Sequence, residues 1–161
     1  MDLGLSGRVA VITGASRGIG LATARLLAAE GATLVLCARD ASRLKEAAAG
    51  LERSGAAVVP VPGDVLDPEL PGRLTQAAGG DGRVDVLVNN AGGDSGYLGF
   101  EKLADADWEA TYRLNVVAPV RLIRSVLPGM RRRRWGASST SRPTPPGCQN
   151  RSACPTPRRP W

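Results

Sequence analysis

Apolar runs of strand length alternate with segments of helical periodicity along the first 130 residues of this 161-residue chain. The apolar runs predict four strands, at residues 8–12, 33–38, 57–61 and 84–88. The periodic segments predict four helices, at residues 18–29, 41–53, about 67–78 and about 106–130. Strands that alternate with helices imply right-handed βαβ units, and therefore an α/β fold with a doubly wound parallel sheet, in the expected order 3-2-1-4.

Particular residues set the ends and positions of these elements. Gly31 is expected to end the first helix, and Asp67 with Pro68 to begin the third, as an N-cap followed by proline at the first helical position. Pro60 places the third strand at an edge of the sheet, because proline cannot donate a ladder hydrogen bond. Pro119 predicts a local bend in the long fourth helix.

A glycine-rich turn joins the first strand to the first helix, with the sequence Thr13-Gly14-Ala15-Ser16-Arg17-Gly18-Ile19-Gly20. Gly14 permits the tight turn, Gly18 lets the backbone approach a pyrophosphate, and Gly20 lets helix and strand pack closely. The unpaired N–H groups at the start of the helix would bind phosphate oxygens. The pattern predicts a Rossmann-like dinucleotide site, although a tight strand-to-helix turn also uses glycine for steric reasons alone.

The composition is that of a soluble globular protein, since 43% of the residues are hydrophobic and no apolar run reaches the length of a membrane span. The N-terminus lacks the basic and apolar regions of a signal peptide, so a cytoplasmic location is expected. Cys37 lies in an apolar strand and is interpreted as a core residue. The chain has no His, and its three cysteines predict neither a disulfide framework nor a metal site.

The net charge of +6 is concentrated at one end of the chain. Residues 1–130 hold 13 Lys and Arg and all 15 Asp and Glu, a balance of −2, whereas residues 131–161 hold 8 Arg and no acid. This tail also has 6 of the 12 prolines and no Val, Ile, Leu, Met, Phe or Tyr. It cannot bury enough apolar surface to offset its ordering entropy, so the globular part is expected to end near Met130 and residues 137–161 to be irregular.

Four motifs in order resemble those of the short-chain dehydrogenase/reductase family over about residues 4–135, in particular 3-oxoacyl-acyl-carrier-protein reductase-like members. They are the glycine turn, Asp64-Val65, Asn89-Asn90-Ala91-Gly92, and Asn115 in the long helix. The resemblance implies an NAD(P)-binding domain over residues 1–135, with Asn115 in the active site. The cofactor-binding residues that it implies are Gly14, Ser16, Arg17, Gly18, Ile19, Gly20, Arg39, Asp64, Val65, Asn90, Ala91 and Gly92. Taken singly, Asp64 could instead cap the following helix.

The charges beside the second strand favour NADP over NAD. An NAD-selective site places a carboxylate at the end of this strand to bind both ribose hydroxyls, but that position is Ala38, followed by Arg39. Arg39 and Arg17 could hold a 2′-phosphate through charge-assisted hydrogen bonds. Asp40 comes one residue later and is interpreted as the N-cap of the second helix.

The sequence lacks most of the catalytic residues that the family uses. Family members transfer hydride between the nicotinamide and a ketone, 3-oxoacyl thioester or secondary alcohol, with a Ser and a Tyr-x-x-x-Lys beside the Asn. Here the only lysines are Lys45 and Lys102, both before Asn115. We therefore expect a domain truncated after about four strands, with a disordered Pro/Arg-rich tail over residues 136–161. Such a chain would fold poorly alone and would be inactive. Intact family members are usually homo-oligomers.

The abrupt change in composition after Gly136 suggests the hypothesis of a shifted reading frame. With TCN serine and CGN arginine codons, a frame shifted from the 137/138 junction encodes two apolar residues, one of Asn, Asp, His or Tyr, another apolar residue, and two residues from Ser, Ala, Thr and Pro. This series is compatible with the form Val-Val-Asn-Val-Ser-Ser of the family's fifth strand. A Tyr codon fits the 155/156 junction, but no Lys codon fits the 159/160 junction. Resequencing that finds no insertion or deletion near codon 136 would reject the hypothesis.

An alternative function is that of a non-catalytic nucleotide-binding protein with an Arg-rich arm for nucleic acid. Arg131–Arg134 and the basic tail favour it, through neutralisation of phosphates. Two observations oppose it, because arginines at the end of a helix also complement the helix dipole, and the tail has few aromatic residues for base stacking. The pattern therefore favours the enzyme family, with a small-molecule substrate and neither a membrane nor a nucleic acid as partner.

Overall fold

A computed structural model describes residues 3–80, 83–93 and 100–141 of the chain. Within these residues one parallel sheet forms, in the order β3-β2-β1-β4-β5. Its strands are β1 (Val9–Thr13), β2 (Thr33–Ala38), β3 (Val58–Pro62), β4 (Val86–Asn89) and β5 (Ala137–Thr140). The predicted order of the first four strands is confirmed, and β3, which contains Pro60, is an edge strand as predicted.

Helices connect the strands and cover both faces of the sheet. They are α1 (Gly18–Ala29), α2 (Ala41–Glu52), α3 (Leu70–Ala77), α4 (Asp105–Tyr112) and α5 (Ala118–Arg133), with a short 3₁₀ turn at Phe100–Lys102. The helix α3 begins three residues after Asp67, which was expected to cap it. The Asp67 carboxylate instead accepts the N–H of Glu69 in the turn before α3, at 2.9 Å.

Two apolar layers enclose the sheet, because alternate residues of each buried strand point to opposite faces. Val11, Val35 and Leu87 face the layer that contains α3 and α5. Ile12 and Leu36 face the layer that contains α1 and α2. Burial on both faces explains why β1 and β2 are continuous apolar runs, and it confirms the doubly wound α/β fold.

The expectation of an irregular chain from residue 137 is wrong for residues 137–140. These residues form β5, which pairs in parallel with β4 from Val86↔Ala137 to Asn89↔Thr140. All four side chains of β5 are exposed. Backbone hydrogen bonds to β4 do not require apolar side chains, and an edge strand that leaves both faces in solvent tolerates Ser and Thr. Residues 142–161, also predicted to be irregular, lie outside the described residues.

The long helix predicted over residues 106–130 is divided into α4 and α5 by a π-helical segment, Arg113–Val117. Pro119, expected to bend this helix, lies in the first turn of α5, directly after the π-helical segment, so the regular helical pattern is interrupted next to it. Four large apolar side chains of this helical region are exposed. These are Trp108, Tyr112, Val116 and Val120.

A buried carboxylate ties the end of α5 to the start of β1. Asp85 is only 4% exposed, and it accepts the backbone N–H of Val9 at 2.9 Å. Its other oxygen lies 3.8 Å from Arg8 and 3.4 Å from Arg133. The Arg8 guanidinium in turn stacks on Trp135, 4.0 Å from the ring centroid. The chain that leads into β5 is therefore held by charged and aromatic contacts.

Candidate cofactor-binding site

The glycine turn between β1 and α1 has the backbone conformation that its sequence predicts. Gly14 and Gly18 have φ angles of +65° and +58°, in the left-handed region that favours glycine. A Cβ atom at Gly18 would meet no other atom within 4 Å, so the turn is open on that side. A Cβ atom at Gly20 would instead lie 2.5 Å from the amide nitrogen of Asn90. Gly20 thus allows α1 to pack against the loop after β4.

The hydroxyl group of Thr13 joins this turn to the loop that follows β4. Its oxygen accepts the N–H groups of Asn90 and Ala91, each at 3.0 Å, and donates to the carbonyl of Val88 at 3.4 Å. The Asn90 amide donates back to the carbonyl oxygens of Thr13 and Gly14, at 3.0 and 3.1 Å. The two motifs therefore form one hydrogen-bonded unit. Thr13 is not among the predicted site residues, although a polar residue that ends a buried apolar strand is a usable signal.

Charged residues lie at the end of β2, beside the glycine turn. Arg39 and Arg17 are both exposed and line the same cavity. Asp40 caps α2, since its side chain accepts the N–H of Arg43 at 3.0 Å, and the same carboxylate lies 3.2 Å from the Arg43 guanidinium. The predicted capping role of Asp40 is therefore confirmed. Arg43 also lines the cavity and is not among the predicted site residues.

Asp64 and Val65 lie in the turn after β3. The Asp64 carboxylate accepts the N–H of Leu66 at 2.9 Å, which stabilises this turn and does not cap α3. Val65 is buried in the core, and Arg121 of α5 donates to the carbonyl of Leu66 at 3.3 Å. These contacts fix the position of Asp64 and Val65 on the wall of the cavity.

Asn115 lies within the π-helical segment between α4 and α5. Its amide nitrogen donates to the carbonyls of Gly93 at 2.7 Å and Thr111 at 2.9 Å, and its oxygen accepts the N–H of Gly93 at 3.3 Å. Segments of π-helix occur frequently at functional sites. No sequence signal had predicted this one. Asn115 therefore fixes the loop after β4 through its hydrogen bonds to Gly93, while the neighbouring Leu114 lines the cavity.

These residues surround a cavity of about 940 Å³ at the carboxyl edge of the sheet. The predicted residues that line it are Gly14, Ser16, Arg17, Gly18, Ile19, Arg39, Asp64, Val65, Asn90, Ala91 and Gly92. Two predicted residues do not line it, since Gly20 packs beneath the turn and Asn115 lies behind Gly93. Lining residues that the sequence analysis did not assign to the site include Cys37, Asp40, Arg43, Gly63, Leu66, Gly93 and Leu114. They come from loops whose meeting is decided by the order of the strands.

Cys37 is buried, as predicted, and its thiol also forms part of this wall. Burial raises the pKa of the Cys37 thiol from 9.0 to about 11, because the thiolate would lose its solvation. The thiol lies 3.7 Å from the carbonyl oxygen of Gly63. At neutral pH Cys37 is therefore a neutral, apolar wall residue. Among the described residues no cluster of three or more His, Cys, Asp or Glu could hold a metal ion, and no helix is long and apolar enough to cross a membrane.

A doubly wound parallel sheet with a glycine turn and a cavity at its carboxyl edge defines a Rossmann-like dinucleotide-binding protein. The family model for short chain dehydrogenase matches residues 8–138, and the chain belongs to this family. The resemblance seen in the motifs is thereby confirmed.

Relatives and solved structures show the same family. The chain is 39% identical, over 129 residues, to the rhamnolipids biosynthesis 3-oxoacyl-[acyl-carrier-protein] reductase of Pseudomonas aeruginosa, covering 80% of this chain and 50% of the relative. L-Sorbose reductase from Gluconobacter frateurii, complexed with NADPH and L-sorbose, is 46% identical with a TM-score of 0.80, over 87% of this chain and 54% of that one. A metagenomic short-chain oxidoreductase in complex with NADP is 34% identical with a TM-score of 0.78, over 88% and 67% of the two chains. The chain spans about half the length of the curated relatives it matches.

Proposed function

We propose that this chain binds NADP(H) in the cavity at the carboxyl edge of the sheet. The single observation that carries the proposal is that the glycine turn, two exposed arginines and the loop after β4 line one cavity. The open space beside Gly18 fits a close approach by a pyrophosphate, and the N-terminus of α1 would donate N–H groups to it. Arg17 and Arg39 fit a 2′-phosphate. Solved relatives that bind NADPH or NADP support the choice of cofactor.

We assign the remaining cofactor contacts to the other walls of the cavity. Asp64 and Val65 would border the adenine, on the wall beyond β3. Asn90, Ala91 and Gly92 would line the cleft on the side of β4. The hydrogen bonds between Thr13 and Asn90 would fix the distance between these walls before the cofactor binds, so that little ordering is needed on binding.

The reaction class that we propose is hydride transfer to or from a ketone, a 3-oxoacyl thioester or a secondary alcohol. NADPH would supply the hydride to a carbonyl substrate, and NADP⁺ would accept it from an alcohol. The residues of the chain must bind and orient the reactants and deliver a proton to the forming alkoxide. Asn115 would hold the loop at Gly93 in place and support a proton-relay water, as the family resemblance implies.

The sequence does not supply the residues that donate the proton in this family. No Tyr-x-x-x-Lys follows Asn115 in the 161 residues. General acid–base catalysis contributes about 10²–10⁴-fold to such reactions, so we expect the chain as printed to bind the cofactor with little or no turnover. The hypothesis of a shifted frame near codon 136 offers one origin for this loss, and resequencing of that region tests it.

Binding and turnover are tested separately on the 161-residue chain. Calorimetric titration of the chain with NADPH and with NADH should show tighter binding of NADPH. Oxidation of NADPH with a panel of ketones should then stay near the uncatalysed rate. Failure to bind either nucleotide would reject the proposed site, and turnover at ordinary enzyme rates would reject the proposed loss of catalysis. A salt titration of nucleic-acid binding tests the alternative, for which a log-linear loss of affinity without turnover is the expected signature.

A further inference from the structure

A second groove, of about 970 Å³, lies between α1 and α2. The two helices are 12 residues long and follow neighbouring parallel strands, so both begin at the carboxyl edge of the sheet. The groove is lined by apolar or small residues where the helices approach each other, including Leu21, Ala28, Ala47 and Gly50. Small side chains such as those of Ala28 and Ala47 leave the space between the two helices unfilled.

Four arginines line this groove, against one acidic residue, Glu46. They are Arg17, Arg25, Arg43 and Arg53. At 1.5 Å per residue, Arg17 and Arg25 lie about 12 Å apart along α1, and Arg43 and Arg53 about 15 Å apart along α2. The cations thus follow the length of the groove and do not converge on one point.

Little of this positive charge is neutralised within the described part of the chain. Of the four arginines only Arg43 has an ion pair there, with Asp40 at 3.2 Å. The positive ends of the helix dipoles of α1 and α2 lie at the same end of the groove as Arg17 and Arg43. The groove therefore carries an excess of positive charge over a length that suits several anionic groups in a row.

We propose that the groove between α1 and α2 binds a linear oligophosphate anion, and that this anion and NADP(H) weaken each other's binding. The planar guanidinium group matches the oxygens of a phosphate through paired hydrogen bonds, and arginines spread over about 12–15 Å of the groove favour an anion with several phosphates over a single phosphate. Ser16, Arg17 and Arg43 line both this groove and the cofactor cavity. A phosphate chain at these arginines would compete with the 2′-phosphate, and the coupling is necessarily reciprocal. The coupling rests on the proposed cofactor site, whereas binding of the anion does not.

The test uses tripolyphosphate as the probe and the 161-residue chain. Calorimetry should show tripolyphosphate binding without cofactor, and inorganic monophosphate should bind at least about tenfold more weakly, since one phosphate meets fewer of the arginines. Tripolyphosphate should raise the apparent Kd of NADPH several-fold, and that of NADH less, because NADH lacks the 2′-phosphate. The double variant Arg25→Gln with Arg53→Gln should bind tripolyphosphate about tenfold more weakly and keep the parent Kd for NADPH, because both residues line only the groove.

The matched control is Lys45→Gln with Arg124→Gln, which removes the same charge from exposed positions outside both cavities. It should leave both affinities unchanged. Equal tripolyphosphate affinity in the Arg25/Arg53 variant and the parent would overturn the proposal, because the anion would then occupy the cofactor cavity alone. A hexaglutamate peptide that binds as tightly as tripolyphosphate would overturn the preference for phosphate. Tripolyphosphate binding without any NADPH binding would reject the cofactor site and the coupling, and would leave the groove assignment supported.

Discussion

The side chain of Asn90 occupies the space that a Cβ atom on Gly20 would need, with its amide nitrogen 2.5 Å from that position. The same amide donates to the carbonyl oxygen of Gly14, at 3.1 Å. One side chain of the loop after β4 therefore fixes both the start of α1 and the turn before it. The glycine turn is shaped by this neighbour as well as by its own backbone.

A methyl group at residue 20 should disrupt this arrangement. We expect Gly20→Ala to lower the free energy of unfolding by about 1–3 kcal/mol, because its Cβ would lie 2.4 Å from the Gly14 carbonyl oxygen as well as 2.5 Å from the Asn90 amide, so that α1 or the turn must move. NADPH binding should weaken by about tenfold or more, since the cleft wall moves with them. Urea denaturation and NADPH titration measure the two effects.

Gly72→Ala is the matched control for this substitution. Gly72 lies within α3, and a Cβ atom there would meet nothing within 4 Å. Because alanine favours the helix, this variant should be neutral or more stable by about 0.5–1 kcal/mol. Unchanged stability and affinity in Gly20→Ala would contradict the steric interpretation.

Arg39→Asp should abolish or reverse the preference for NADPH. The change removes a guanidinium that would bind the 2′-phosphate and supplies a carboxylate that can bind ribose hydroxyls. We expect the affinity for NADPH to fall by about tenfold or more and the affinity for NADH to hold or rise. Arg124→Asp, on the exposed face of α5, controls for the change in net charge. Equal affinities for NADPH and NADH in the parent chain would show that the arginines do not reach the 2′-phosphate.

Asp85→Ala should destabilise the fold more than any exposed acidic substitution. It leaves the buried N–H of Val9 without its acceptor and removes the carboxylate shared by Arg8 and Arg133. Leaving a buried N–H without an acceptor costs about 1–3 kcal/mol, and the ion pairs add less because both guanidinium groups are about one-third exposed. Asp85→Asn should lose less, because its amide oxygen can still accept the Val9 N–H. The control is Glu52→Ala, at an exposed position of α2, which should stay within about 0.5 kcal/mol of the parent. A similar unfolding midpoint for the two alanine variants would rule out this role for Asp85.

Cys37 should resist alkylation at pH 8 in the folded chain. Its pKa of about 11 keeps the thiol protonated, and the thiolate is the nucleophile. The experiment uses Cys148→Ser with Cys154→Ser as background, so that iodoacetamide labels Cys37 alone and mass spectrometry follows it. Labelling of the folded chain at the rate of the urea-unfolded chain would contradict the burial of the thiol.

The same shift predicts a loss of stability at alkaline pH. The pKa of Cys37 in the folded chain lies above the ordinary value of 9.0. The buried, protonated thiol therefore makes its full contribution to the free energy of unfolding below pH 9.0, and this contribution is lost as the pH rises to about 11. The contribution is about 2–3 kcal/mol, at about 1.4 kcal/mol for each pH unit. Cys37→Ala should remove this part of the pH dependence, and urea denaturation between pH 8 and pH 11 measures it.

Local sequence patterns are enough to predict most of the individual helices and strands and the cofactor motif. Continuous apolar runs at β1 and β2 predicted strands buried on both faces, because such strands have no solvent-exposed side to make polar. The three glycines predicted the turn, since positive φ at Gly14 and Gly18 is a local backbone requirement. Ala38 and Arg39 pointed to NADP from charge alone. Each of these signals depends on residues that are near one another in the chain.

The strand β5 and the set of residues that line the cavity depend on contacts between parts of the chain that are distant in sequence. The side chains of β5 are short and polar, and the strand exists because the backbone of β4 offers hydrogen bonds that no property of residues 137–140 reveals. Three other features of the site likewise join residues that are distant in the chain. They are the hydrogen bonds of Thr13, the contact between Asn90 and Gly20, and the position of Arg43 on the cavity wall. Local pattern predicts the conformation of a segment, whereas the pairing of β1 with β2 and with β4 brings those segments together, and that pairing is a property of the whole sheet.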